Sequence, residues 1–232
     1  MKLNKYIVIA LILISVKSFS QSSSSLPFGK KSASDTTNGY EKMIGDGFIG
    51  FGFVLGGDNT GALINYGQSR EFIVGVGIGR RFVKWNGIGI DVYYKSTDYY
   101  LTQDSTKILP DKSLHKDEKI SFDNIGGLVY DRFYIGTFFI DGGFYYDWTF
   151  YTKHITWDDV TGSNAGTIKV IEKQLDFTNA SNYGLTFRGG KSTGVSFYFN
   201  YRLSKLFKGA SSSYIAYPEL PVYVLGIILG LH

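Results

Sequence analysis

The sequence predicts an all-β protein, an eight-stranded antiparallel up-and-down transmembrane β-barrel. Three observations predict it. Eight segments alternate apolar and small or polar residues with period two. The connections between them alternate strictly between short and long. The composition combines glycine with aromatics, at 29 Gly, 18 Tyr and 18 Phe in 232 residues. That glycine share, about one residue in eight, exceeds the usual value of about 7%.

The segments run in order. Residues 46–56 set Ile49, Phe51, Phe53 and Leu55 against Gly50 and Gly52. Residues 69–82 set Phe72, Val74, Val76 and Ile78 against Gly75, Gly77 and Gly79. Residues 86–96 set Ile88, Ile90, Val92 and Tyr94 against Gly87, Gly89, Asp91, Tyr93 and Lys95. The fourth segment, 119–130, is less regular and offers Ile120, Phe122, Leu128 and Tyr130 as its apolar set. The fifth, 133–148, places Tyr134, Phe138, Ile140, Phe144, Tyr146 and Trp148 opposite Thr137, Asp141, Gly143 and Asp147. The sixth, 181–188, carries Tyr183, Leu185 and Phe187. The seventh, 194–203, turns Val195, Phe197, Phe199, Tyr201 and Leu203 away from Ser196, Tyr198, Asn200 and Arg202. The eighth, 219–231, presents Tyr223, Leu225, Ile227, Leu229 and Leu231.

Short connections are expected at Val83 to Trp85, Asp131-Arg132 and Gly189 to Thr193. Long ones are expected over 57–68, 97–118, 149–180 and 204–218. Transmembrane barrels sort their loops in this way, with tight periplasmic turns and long outer loops, and an even strand count leaves both ends on the periplasmic side.

Ahead of the strands, residues 1–21 read as a signal peptide. Lys2 and Lys5 precede the apolar run Tyr6 to Ile14, and Ser18-Phe19-Ser20-Gln21 supplies small residues for cleavage. The run is too short for a spanning helix, which needs about 20 apolar residues. Residues 22–45 are polar and aperiodic, a flexible periplasmic lead-in, which leaves 46–232 as the barrel. The formal charge of +4 falls to +1 when Lys2, Lys5 and Lys17 leave with the signal, so nothing points to nucleic acid. Cysteine is absent, which removes disulfides and thiolate chemistry from consideration.

Alternation alone does not say which face meets lipid. The face opposite the apolar residues is dominated by glycine, and an eight-stranded lumen is barely wide enough for its own side chains. The apolar face is therefore expected to point outward, into outer-membrane lipid. Glu71, Arg81, Asp91, Lys95, Asp141 and Arg202 are expected inward as a polar lumen network, with Asp147 beside them, because buried charge of both signs must pair. Aromatic girdles are expected from Phe82, Trp85, Tyr130 and Tyr134 near the short turns, and from Tyr94, Tyr146 and Trp148 near the long loops.

On these glycine-alternating strands and on the closing segment Val222 to His232, the chain resembles the small bacterial outer-membrane β-barrel proteins. That broad group takes in the OmpA-like barrels and the PorT-like barrel domain. Gly226, Leu229 and Leu231 are similar to the group's C-terminal assembly signal, although the chain ends in His232 instead of Phe or Trp. The resemblance implies an outer-membrane location and recognition by the barrel assembly machinery through the last strand.

No catalytic, cofactor-binding or metal-binding residue is assigned. His115 and His154 fall in the second and third long loops among Ser, Thr and Asp, and are expected to be solvated; His232 is at the chain end. Gly75-x-Gly77-x-Gly79 continues to Arg80 and lies within a strand, so it is no dinucleotide fingerprint. Asp104, Asp111, Asp117, Asp158 and Asp159 follow no metal-ligand spacing, and the sequon Asn179-Ala180-Ser181 has no meaning in this compartment. The expectation is a non-enzymatic barrel in contact with lipid and lipopolysaccharide, whose long loops bind an extracellular ligand or support the envelope. A narrow pore, a lipid-modifying enzyme and a soluble periplasmic lipid-binding barrel are the alternatives.

Overall fold

Period-two patterns give strands with two unlike faces, and the computed structural model of the chain joins such strands into a closed ring. It describes residues 42–57, 59–160, 166–191, 194–210 and 215–231. The expected signal peptide, most of the lead-in and His232 lie outside them. The strands are β1 (Lys42–Leu55), β2 (Arg70–Val83), β3 (Asn86–Tyr100), β4 (Asp117–Ile135), β5 (Phe138–Val160), β6 (Gly166–Lys173), β7 (Ser181–Lys191), β8 (Val195–Arg202) and β9 (Tyr223–Leu231). The ring runs β1-β2-β3-β4-β5-β7-β8-β9 with every pairing antiparallel. It closes where β9 pairs with β1, from Gly47 opposite Leu231 to Leu55 opposite Tyr223. The fold is thus a closed eight-stranded antiparallel β-barrel with one extra strand, β6, paired to β5 outside the ring.

Four expectations are corrected. The first strand begins at Lys42, so the last residues assigned to the lead-in already pair with β2. The second short turn is not Asp131-Arg132 but Gly136-Thr137, where Gly136 at φ +65° adopts the left-handed conformation that two-residue hairpins favour. Asp131 and Arg132 instead continue β4, with Arg132 turned inward to pair with Asp141.

The third correction concerns the apolar set named for β4. Ile120, Phe122, Leu128 and Tyr130 are buried and share the inward face, while Ile125, Val129, Phe133 and Ile135 take the outer one. Leu128 and Tyr130 fit inward because Gly143 opposite them has no side chain; a Cβ there would crowd both. Tyr130 and Tyr134 are therefore not girdle residues. The fourth correction falls on the third long loop. Its first part continues β5 to Val160, and β6 folds back along it.

Elsewhere the outer face is as expected, except that Val74 and the expected girdle residue Tyr94 are buried, Tyr94 donating to Asp123 at 2.8 Å. Phe53, Ile90, Val129, Phe144 and Phe197 are exposed on separate strands, with Phe197 at 60%. Trp85 is also exposed and stacks on Phe133 at 6.0 Å. Inside, tyrosines lie against glycines of neighbouring strands. Tyr198 covers Gly52 and Gly226, and Tyr130 covers Gly89; a methyl group at any of these glycines would overlap the ring. The small residues thus make room for aromatic filling in a narrow lumen.

The barrel is lopsided. Strands β3, β4 and β5 have 15, 19 and 23 residues, against 11, 8 and 9 for β7, β8 and β9. One wall therefore rises well past the other at the long-loop end.

Candidate functional site

Period two carries charged residues inward on β2, β3, β5, β7 and β8, and they meet in two clusters. Near the short turns, Asp141 of β5 is fully buried and receives two guanidinium groups. Arg132 of β4 donates from Nε to Oδ1 at 2.7 Å and from Nη2 to Oδ2 at 2.8 Å. Arg188 of β7 donates from Nε to Oδ2 at 3.0 Å and from Nη1 to Asp91 Oδ2 at 2.6 Å. Its Nη2 lies 2.9 Å from Asp141 Oδ2 as an ion contact without hydrogen-bond alignment. The Tyr130 ring packs under both guanidinium groups, at 4.3 Å from Arg188 and 5.1 Å from Arg132. Two positive and two negative charges close this cluster on itself.

The second cluster lies toward the long loops. Lys95 pairs with Asp147, and Tyr93 donates to the same carboxylate at 2.8 Å. Glu71 accepts from Tyr198 at 3.1 Å, from Thr97 at 3.2 Å and from Asn200 at 3.3 Å. The Lys95 ammonium also sits 4.5 Å from the Tyr145 ring centre. The cavities left around these groups measure about 30, 50 and 20 Å³, room for only a few waters each.

Above the second cluster the mouth is covered. Arg202 of β8 donates to Glu219 Oε2 at 2.8 Å and to the carbonyls of Leu220 and Ser204 at 2.6 and 3.0 Å. Glu219 in turn accepts from the backbone amides of Leu206 and Phe207. Folded this way, residues 203–210 and 215–222 bury Leu206, Phe207 and Leu220. They join Leu109 and Ile64 from the other long loops, and Ile120 and Phe122 from β4, in an apolar cap. This cap explains the inward Ile120 and Phe122 of β4.

Of the residues named from sequence, Glu71, Asp91, Lys95, Asp141, Asp147 and Arg202 are buried in the lumen. Arg81 is not among them. It donates to the Val83 carbonyl at 3.2 Å and packs 4.1 Å from the Tyr134 ring at the short-turn rim. Arg132, Arg188 and Glu219 were missed. Arg188 was readable, because Asn182, Gly184, Thr186 and Arg188 alternate with Tyr183, Leu185 and Phe187.

The histidines differ from expectation. His154 lies on β5 and is buried, not solvated on a loop. Its Nε2 is 2.7 Å from Glu118 and its Nδ1 is 3.1 Å from Glu172 of β6. Glu118 also receives Lys107 at 2.5 Å and Gln103 at 2.7 Å. Burial alone would depress the His154 pKa, but the two carboxylate hydrogen bonds outweigh it and raise the value above the usual 6.5. His115 Nδ1 faces Asp158 at 2.8 Å. Lys116 pairs with Asp159, and Asp104 and Asp111 accept from nearby backbone amides. Among the described residues, no group of three or more such side chains could hold a metal ion.

Neither cluster presents a nucleophile, a base and an open approach together. The arrangement can fill, close and brace a barrel. No family model matches this chain, and no curated protein is significantly similar to it.

Proposed function

We propose that the chain is a non-enzymatic outer-membrane β-barrel of a Gram-negative bacterium, exported by a cleaved signal peptide. In this reading its lumen is closed, and its long loops and tall β4–β5–β6 wall are displayed to the outside for ligand or partner binding. One observation carries the reading: apolar side chains occupy the exposed outer face all around the ring, while charged residues are buried inside it. Monomeric soluble proteins rarely expose continuous apolar patches beyond a few hundred Å², and in a bilayer every backbone group must be paired, which a closed ring achieves.

The band of exposed side chains runs on β3 from Ile88 to Val92 and on β5 from Phe138 to Trp148. The β5 span, 11 residues, matches the 9–11 residues a tilted strand needs. A closed lumen argues against a pore, and the two carboxylates that occupy His154 argue against its use as a general base. Resemblance to the small outer-membrane barrels agrees with the same location.

The test is membrane fractionation followed by gel electrophoresis with and without boiling. The expected result is protein in the outer-membrane fraction whose unboiled form migrates faster than the boiled form. Recovery in the soluble periplasm without a mobility shift would overturn the reading.

A further inference from the structure

The outer face of the tall wall changes character where the apolar band ends. Cross-strand register lays it out in rows. Val74, Tyr94, Ile125 and Trp148 form an apolar row. Two outward residues further along the strands, Arg70, Asp98, Ser121, Lys153 and Lys173 stand side by side. Next come Tyr100, Lys119, Ile155 and Ile171, and then Asp117, Trp157 and Lys169. These last three rows carry five cations and two carboxylates, so the surface is net positive.

Across the same rows lies an open groove of about 530 Å³, lined by Gln68, Arg70, Asp98, Tyr100, Asp117 and Trp157. Some of its polarity is already paired, since Lys119 reaches Asp98 at 2.5 Å and packs 5.2 Å from the Tyr100 ring. Among the described residues, Arg70, Lys169 and Lys173 have no acidic partner, and Lys169 rests 5.2 Å from the Trp157 ring. The groove therefore offers two flat aromatic faces, planar hydrogen-bonding side chains and flanking free cations. Aromatic faces and carboxylate or amide groups suit the CH faces and hydroxyls of a sugar. Guanidinium and ammonium groups suit phosphate.

We propose that this groove binds the phosphorylated sugar headgroup of an outer-leaflet glycolipid, with Tyr100 and Trp157 against the sugar and Arg70 and Lys169 on its phosphates. The site rests on the outer-membrane reading, because the groove begins where the lipid-facing band stops, at the level of the headgroups. The shorter β7–β8–β9 side does not extend this far, so the glycolipid is held on one side of the barrel only.

The test uses the full mature chain in detergent micelles, titrated with lipopolysaccharide, with enzymatically dephosphorylated lipopolysaccharide, and with a phosphorylated glucosamine disaccharide lacking acyl chains. Tryptophan fluorescence reports binding, with Trp157→Phe to assign the signal. The double variant Arg70→Gln/Lys169→Gln is expected to bind lipopolysaccharide about 25-fold more weakly, from about fivefold for each surface cation. Wild-type affinity is expected to fall with salt and on dephosphorylation. Unchanged affinity in the double variant would overturn the site, as would equal affinity for the dephosphorylated lipid. Equal affinity for the free disaccharide would overturn the lipid as its source. Gel mobility of each sample, with and without boiling, separates the two failures: a variant that keeps the heat-dependent shift but loses no binding refutes the groove and leaves the membrane reading standing.

Discussion

Replacing Asp141 with Asn tests how the lumen is held together. Asp141 is fully buried and accepts three aligned hydrogen bonds, two from Arg132 and one from Arg188. The substitution keeps its shape but leaves two guanidinium groups sharing only Asp91. Breaking one partner out of a buried ion cluster costs about 3–5 kcal/mol. Asp91 is comparably buried but accepts a single contact, from Arg188 at 2.6 Å. Asp91→Asn should cost less, about 1.5–3 kcal/mol for one charge-assisted hydrogen bond.

The assay is urea unfolding in detergent micelles, followed by tryptophan fluorescence and by the fast-migrating fraction on unboiled gels. With a slope of about 2 kcal/mol per molar, Asp141→Asn should lower the midpoint by roughly 1.5–2.5 M. Exchanging Arg132 and Asp141 together for Met and Leu should recover much of the loss, because Arg188 and Asp91 then remain as a neutral pair. A midpoint shift for Asp141→Asn no larger than that for Asp91→Asn would refute the reasoning, because the cluster would then not be centred on Asp141.

Two further expectations follow from the same packing. Gly89→Val should destabilise by about 1–3 kcal/mol through overlap with the Tyr130 ring, and Tyr130→Leu in the same chain should restore part of the loss; an additive penalty in urea titration would contradict the pairing. The His154 bridge should make the β5–β6 hairpin more protease-resistant in mildly acid solution. A pKa raised in the folded state means stability fully present below about 6.5 and lost as pH rises through the folded value. His154→Gln should remove that dependence above about pH 6.5, and an unaltered slope would contradict it.

The ring itself was legible because a barrel strand has two consistently different faces, one outside the ring and one in the lumen. On β3, Ile88, Ile90 and Val92 point outward and Gly89, Asp91 and Tyr93 inward without interruption. The pattern failed where a strand's surroundings change along its length. The inward side of β4 passes from the apolar cap at Ile120 and Phe122 to the charged lumen at Arg132, so a single face carries both kinds of residue. Apolarity there tracks the loops folded overhead, which lie far away in sequence. The polar pair Asp131-Arg132 resembled a turn because Arg132 has its counterion nine residues on, across a hairpin whose register sequence alone does not give.

The extension of β5 and the whole of β6 were hidden for a related reason. Every residue of β6 is exposed, so no buried face imposes alternation on Gly166 to Lys173. His154 could not be placed without that hairpin, since Glu172 reaches it only through the β5–β6 register. The lumen charges were easier, because a charge at an inward position must find its opposite; the identity of the partner, Arg188 for Asp91, required the ring.

The absence of cysteine from the sequence opens a direct test of which face meets lipid. Single cysteines at Ile90, Val129 and Phe197, and at Lys173 on the tall wall, would each carry an environment-sensitive fluorophore in reconstituted bilayers. Brominated lipid tails should quench the labels at Ile90, Val129 and Phe197 while aqueous iodide does not, and the Lys173 label should show the reverse. Iodide quenching at Ile90, Val129 and Phe197, with no effect of brominated lipid, would contradict the account and leave a barrel whose apolar exterior is covered by something other than a membrane.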